Sequence, residues 1–450
     1  MAKSAQPTMA RSLKNRHIQL MAIGGTIGTG LFLGAGQSIH LAGPSLLLAY
    51  AIMGGVCFFI MRALGELLVS DVDKPSFIDF IKQYLGSDWG FVTGWTYWIC
   101  WLAIAMAEVT AIGVYIHYWL PGLPQWLPGL VALVILLLMN LISVGVFGET
   151  EFWFALIKVA AILALIAVGI WMLIMRYPTP AGHASLRNLV AYGGFFPHGA
   201  RGFFLSFQMV TFSFAAIEMV GLTAGEASDP ETVIPKAIDE LPMRIILFYI
   251  GALTVIMAIY PWNTVHANSS PFVQVFANLG IGYAADVVNF VVITAAASSC
   301  NSALFSTGRL LFSLSLTSTS PRVRRLAKLS RRQVPARATL VSALIVAGAV
   351  VLNLVLPSAV FTLISSVATT SFLFIWSMIV LAHLRYRRAH PGGGRFPAPW
   401  FPWGDYVVLA FLAAVFVIML FTTTTAVSAG VAILWVVVLY GARRWWRKTN

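Results

Sequence analysis

Apolar runs of about twenty residues recur from one end of this chain to the other, separated by short polar, glycine- or proline-bearing punctuation. A helix crossing the hydrocarbon core of a bilayer needs about 20 apolar residues. Only helices and closed barrels satisfy their backbone polar groups there. Runs of this length point to a helical bundle in lipid. Composition agrees: of 450 residues, 59% are apolar and 10% charged, against about 45–50% and about 25% in soluble domains. A soluble enzyme and a disordered chain are both excluded.

Twelve runs are expected to span the membrane, at 17–40, 44–70, 90–119, 126–147, 152–175, 200–226, 244–262, 283–316, 337–356, 359–384, 406–424 and 426–442. The linkers between them are mostly short. The net charge of +13 would suggest nucleic acid in a soluble protein. Here it records orientation, because basic residues collect on the cytoplasmic side of membrane proteins. Lys3, Arg11, Lys14 and Arg16 precede the first run; Arg322, Arg324, Arg325, Lys328, Arg331, Arg332 and Arg337 separate the eighth and ninth. Arg385, Arg387, Arg388 and Arg395 follow the tenth, and Arg443, Arg444, Arg447 and Lys448 the twelfth. With twelve spans all four groups share one side, so both termini are expected in the cytoplasm. No nucleic-acid partner is expected. The polar start lacks a short apolar core with a small-residue cleavage site, so no cleaved signal peptide is expected.

The first run contains Gly24-Gly25-Thr26-Ile27-Gly28-Thr29-Gly30, four glycines in seven residues at bilayer depth. Glycine weakens a helix by about 1 kcal/mol relative to alanine, so the cluster invites unwinding. Unwound backbone is tolerated in a membrane only where it lines a protein cavity; close packing of small residues is the other use of such a cluster. The sixth run carries a second interruption, Gly221-Leu222-Thr223-Ala224-Gly225-Glu226. The two runs lie five apart and cross in opposite directions. Paired interruptions in oppositely oriented units point to an inverted-repeat transporter. The expected organisation is a cytoplasmic segment 1–16, a first five-helix repeat 17–175, a second repeat 200–384, accessory helices 406–442 and a cytoplasmic tail 443–450.

A broken helix exposes N–H groups at one half-helix end, suited to a carboxylate, and carbonyls at the other, suited to an ammonium. A zwitterionic amino acid carries both. Its carboxylate is expected at the backbone of Gly25, Thr26, Ile27, Gly28, Thr29 and Gly30, and its ammonium at carbonyls near Phe212, Ser213 and Ala216. Ser298, Ser299, Asn301 and Ser302 form a polar patch in the eighth run. Ser299 is assigned to the substrate site; interhelical hydrogen bonding is the patch's other use.

Five groups of residues in order carry a likeness: LKNRHIQLMAIGGTIGTGLFLG at 13–34; Ala42-Gly43-Pro44 with Leu64-Gly65-Glu66; GETEFWFALIKV at 148–159; GLTAGEASDPETVIPKAI at 221–238; and SSCNSALFSTGRLLFSL at 298–314. Through them the chain resembles the amino acid permeases of the amino acid–polyamine–organocation superfamily, from Leu13 to about Arg388. AEVTAIGVYIHYWLP at 107–121 and the 148–159 stretch are most similar to the bacterial threonine/serine permease branch. The resemblance implies an all-α integral membrane fold of twelve helices. Five plus five form an inverted repeat, with helices 1 and 6 broken and two accessory helices added. It also implies proton-coupled uptake of amino acids across the inner membrane. The chain departs from the pattern at Ala215-Ala216, near where relatives usually carry a glycine or another residue, and methyl groups there shrink the side-chain space.

Few charges fall deep inside the runs, and each needs a partner or a function. By resemblance, Lys158 occupies the place of a coupling sodium ion in sodium-driven relatives, its ammonium mimicking that cation; a permanent structural ion pair is the alternative. Glu218 matches a family glutamate near the substrate or proton route. Glu108, in the middle of the third run, completes the candidate proton-coupling residues. Phe212 corresponds to a family position that closes over bound substrate. Glu226 and Asp229 are expected to organise a loop carrying Pro230 and Pro235, and Arg62 and Glu66, four apart, to pair locally. Trp119, Trp126, Trp262, Trp400, Trp445 and Trp446 read as an interfacial belt.

The histidines show no metal-ligand spacing, and Cys57, Cys100 and Cys300 sit apart in apolar stretches. No cofactor or metal is expected. No nucleophile–base arrangement or P-loop is present, which disfavours an enzyme and an ATP-driven pump. The expected partners are an amino acid, protons and membrane lipid. With no fixed charge near the side-chain pocket, threonine, serine or alanine stands ahead of lysine or arginine. An exchanger, a sodium-coupled carrier and an amino acid sensor are the rival readings.

Overall fold

The computed structural model describes residues 27–74, 76–219, 230–316, 318, 320–357 and 359–449. The first helix is broken into α1 (Thr29–Phe32) and α2 (Gly34–Ala42). Gly43, with φ of 58°, ends α2, and a 3₁₀ turn over Gly43–Ser45 leads into α3 (Leu46–Ser70). There follow α4 (Phe77–Leu85), α5 (Ser87–Trp119), α6 (Trp126–Ile142) and α7 (Val144–Ile174). A two-residue hairpin, β1 (Pro178–Thr179) and β2 (Gly182–His183), precedes α8 (Asn188–Ala191) and α9 (Gly199–Ser213). The chain continues as α10 (Pro230–Asp239), α11 (Leu241–Arg244), a π-helical turn over Ile245–Gly251, α12 (Ala252–Ile259), α13 (Pro271–Asn278) and α14 (Gly282–Leu316). It closes with α15 (Pro321–Arg324), α16 (Ala336–Val346), α17 (Gly348–Val355), α18 (Val360–Ala389), α19 (Trp403–Met419) and α20 (Thr423–Thr449).

Among the described residues, eight helical stretches are long and apolar enough to cross a membrane, and α6 and α19 are shorter apolar helices. Burial sorts them. The most apolar window of α5 is 78% buried and those of α14 and α18 72%, so these three form the centre; α20, at 17%, lies on the rim. Small residues let the inner helices approach: a methyl group on Gly129 of α6 would lie 2.6 Å from the Val109 carbonyl of α5.

Several boundaries differ from the sequence reading. The fourth and fifth helices meet at Ser143, not across a linker at 147–152. Ser143 is extended and its hydroxyl accepts the Val146 N–H at 3.2 Å, capping α7. Linkers expected to be plain hold α4, α10 and α13, and Pro235 lies inside α10 rather than in a loop. Helix α4 forms because Ser76 caps it and Phe77, Phe80 and Ile81 share one buried face. Trp262 is buried, while Trp400 and Trp445 are exposed. The expectations for residues 1–26, including the basic N-terminal segment, and for Glu226 and Asp229 lie outside the described residues.

The expected Arg62–Glu66 pair does not form. Arg62 donates to Asp239 at 3.0 Å and to the Pro397 carbonyl at 2.7 Å. Glu66 is fully buried and accepts from His383 Nε2 (3.0 Å), Arg387 Nη1 (3.0 Å), and the N–H groups of Gly394 (3.1 Å) and Ala398 (2.7 Å). The other imidazole nitrogen of His383 faces Asp405 Oδ2 at 2.7 Å. A buried carboxylate takes the environment with most donors, and that environment comes from α18 and the 390–398 loop.

Candidate functional site

Around the break in the first helix, four segments converge. Gly28 is extended (φ −127°, ψ −160°) and opens the single turn α1. The Thr29 N–H donates to Glu108 Oε1 of α5 at 3.3 Å, and the Lys158 ammonium of α7 donates to the Ile27 carbonyl at 3.1 Å. A methyl group on Gly28 would lie 2.8 Å from Glu108 Oε1 and 2.9 Å from Ser299 Oγ of α14. Thr29 Oγ1, Glu108 Oε2 and Ser299 Oγ are buried and have no hydrogen-bond partner among the described residues. Unpaired buried polar atoms are costly, and three together are available to a polar ligand.

The sixth run is interrupted within its described residues, ahead of the Gly221–Glu226 stretch. Helix α9 ends at Ser213 and the backbone turns through Phe214–Glu218; Gly221–Glu226 lies outside the described residues. Ala216 stands at φ of 70°, a left-handed conformation that costs a non-glycine residue roughly 1–2 kcal/mol. Tyr249, carried by the π-helical turn, donates to the Ser213 carbonyl at 3.0 Å, and the Tyr50 hydroxyl lies 3.0 Å from Ser213 Oγ. Tyr249 also stacks on Phe214 at 5.1 Å.

The two breaks touch. A methyl group on Gly30 would lie 2.6 Å from Ser213 Cα, so only glycine permits this contact. Gly30→Ala is expected to lower initial uptake at least tenfold, because overpacking by one methyl costs about 1–3 kcal/mol where the two half-helices meet. Uptake normalised to membrane expression measures it. Gly55→Ala, with no atom within 4 Å of the added methyl, is expected to match wild type.

Of the sequence-derived residues, Ile27, Gly28, Thr29, Gly30, Glu108, Lys158, Ser213 and Ser299 thus gather at the paired breaks. Gly25 and Thr26 lie outside the described residues. Phe212 is buried one residue before the end of α9, edge-on to Phe361 of α18 at 6.1 Å. Glu218 is buried at the end of the Phe214–Glu218 turn. Its Oε2 accepts the Trp376 indole N–H at 3.0 Å.

The polar patch of α14 divides. Ser299 faces Gly28, whereas Ser298 Oγ donates to Glu151 Oε1 at 2.5 Å and Asn301 Nδ2 to Glu151 Oε2 at 3.4 Å. Glu151 is fully buried in α7 and was not singled out from the sequence. Its signal was available: it stands seven residues before Lys158, on the same face of an apolar helix.

The sequence profile of the family described as "Amino acid permease" matches residues 17–450. The chain belongs to the amino acid permease family. The permease is 55% identical to the amino-acid permease AapA of Bacillus subtilis (strain 168), across 96% of this chain and 94% of that protein. It is 46% identical to the D-serine/D-alanine/glycine transporter of Escherichia coli (strain K12), across 97% and 93%. It is 45% identical to the aromatic amino acid transport protein AroP of Escherichia coli O6:H1, across 96% and 94%. The permease is a multi-pass membrane transporter of amino acids, not an enzyme.

Proposed function

We propose that the permease is an amino acid:proton symporter of the cytoplasmic membrane, taking up small neutral amino acids such as threonine, serine or alanine by alternating access. The observation that carries this reading is the ammonium of Lys158 on the Ile27 carbonyl, at the opening of the broken first helix. A cation fixed there by the protein takes the position that a coupling sodium ion would need. This favours proton coupling over sodium coupling. The substrate carboxylate binds the Gly28–Gly30 backbone, beside Thr29 Oγ1 and Ser299 Oγ, with Gly25 and Thr26 as further carboxylate-binding residues read from the sequence. Its ammonium binds carbonyls of the Phe212–Ala216 turn. Lys158, Glu108 and Glu218 carry the proton.

The architecture proposed is twelve crossings, with 17–175 and 200–384 as inverted repeats, 406–442 as accessory helices, and both termini cytoplasmic. The Gly43–Ser45 turn supports separating the first crossing, 17–40, from the second, 44–70. The breaks at 27–33 and 214–218 support the repeat. Two relatives of nearly equal identity are named for small and for aromatic substrates, so similarity does not choose between them. The buried Phe212–Phe361 contact and the Ala216 methyl favour the small side chain.

Proteoliposome uptake driven by an imposed pH gradient, with and without sodium, tests the reading. A membrane potential adds about 2.3 kcal/mol per charge per 100 mV, so one proton per neutral substrate gives roughly fiftyfold accumulation. Accumulation is expected to vanish when the gradient and potential are collapsed and to ignore sodium. Persistence after collapse contradicts proton coupling. In competition with labelled alanine, small neutral amino acids are expected to win over aromatic and charged ones.

A further inference from the structure

Helix α7 carries two fully buried charged residues on one face, Glu151 and Lys158. Seven residues separate them, roughly 10 Å along the axis. Helical side chains lean toward the N-terminus, so the lysine reaches back toward Glu151.

The surroundings of Glu151 are built for an anion. Ser298 donates to one oxygen, and Asn301 donates to the other through its amide NH₂. The Asn301 orientation is set by α6, where Asn140 donates to Asn301 Oδ1 at 2.7 Å and to the Leu136 carbonyl at 2.9 Å. Facing Glu151 are therefore hydroxyl and amide donors from α14, with Lys158 on the same face of its own helix as the charged neighbour. Four residues toward the start of α7, Phe147 stacks flat on Phe305 at 3.8 Å. Arg309 lies over Phe305 at 4.1 Å, and half-buried Glu149 stands nearby in sequence. This aromatic pair therefore packs one helical turn from Glu151, toward the start of α7 and away from Lys158 in sequence.

We infer that Glu151 is a second proton station, receiving the symported proton from Lys158 and releasing it to the cytoplasm when the Phe147–Phe305 pair parts. The inference rests on the proton-coupled reading above. In the transfer, an N–H bond of the Lys158 ammonium breaks, its electron pair remains as the amine lone pair, and an O–H bond forms on the Glu151 carboxylate. The carboxylic acid then gives the proton to cytoplasmic water and returns to the anion held by Ser298 and Asn301. One proton crosses per cycle, and no other reactant is needed.

The test compares wild type, Glu151→Gln and Glu151→Asp in proteoliposomes, reading three quantities: substrate exchange, pH-gradient-driven accumulation and proton entry by an entrapped pH dye. Glu151→Gln is expected to lose accumulation and proton entry at least tenfold more than it loses exchange, and Glu151→Asp to recover part of the proton response. Accumulation by Glu151→Gln with the wild-type pH profile overturns the assignment. A wild type indifferent to the gradient instead sinks the proton-coupled reading itself, and this inference with it. If Glu151→Gln fails to fold, seen as no substrate-dependent rise in melting temperature, Ser298→Ala decides. It keeps the acid but removes a donor, and is expected to displace the pH midpoint of uptake by about half a unit or more; an unmoved midpoint overturns the assignment.

Discussion

Lys158→Ala is expected to abolish gradient-driven accumulation while substrate exchange falls far less. The ammonium does two things at once: it supplies a titratable cation inside the bundle, and it donates to the Ile27 carbonyl at 3.1 Å, holding the break open at its first residue. Removing a charge-assisted hydrogen bond costs about 1.5–3 kcal/mol, or about ten- to a hundredfold in substrate affinity. Loss of the proton carrier removes the driving force altogether. Lys158→Arg keeps the cation but holds its proton at every working pH, so it is expected to bind substrate and still fail to accumulate it. Uptake, exchange and binding measured side by side check this. A Lys158→Ala protein that accumulates with wild-type pH dependence rules out the assigned role.

The largest effect on stability is expected at Glu66. Replacing it with alanine leaves the Arg387 guanidinium, the His383 imidazole and two loop N–H groups buried or half-buried without their acceptor. Breaking a buried charged network from one side costs about 3–5 kcal/mol. The same change unties α18 and the 390–398 loop from α3. Thermal unfolding in detergent, read against Arg395→Ala, measures the difference. Arg395 is 75% exposed in its pair with Glu231, a contact worth at most about 1 kcal/mol, so its loss is expected to pass almost unnoticed. Equal melting temperatures for the two variants contradict the role given to Glu66.

The two residues differ in how far the sequence announced them. Lys158 is a lone cation in an apolar run, and burying such a group demands a function whatever surrounds it. Glu66 stands four residues from Arg62, and a helical spacing rule pairs them. That rule weighs only neighbours on one helix, and it lost to four donors arriving from residues 383–398. Glu151 was legible in the same partial way: its spacing from Lys158 is local, but its Ser298 and Asn301 partners are not. The first break was readable because four glycines announce it; the turn at Phe214–Glu218 was not singled out, and Gly221–Glu226 lies outside the described residues. Before that turn the helix ends at Ser213, where Gly30 from another segment needs the space, and no local glycine marks the spot.

By itself the sequence determined the membrane class, the approximate helices, the family and the weak point of the first helix. Each of these reflects a segment's own composition against the bilayer, which acts on every segment separately. Only the tertiary structure decided which buried polar groups meet: Thr29 with Glu108, Lys158 with Ile27, Ser298 with Glu151 and Glu66 with His383. Those choices depend on distances between segments 79 to 317 residues apart in the chain, and in a low-dielectric interior each buried polar atom settles on the partner that geometry brings within reach.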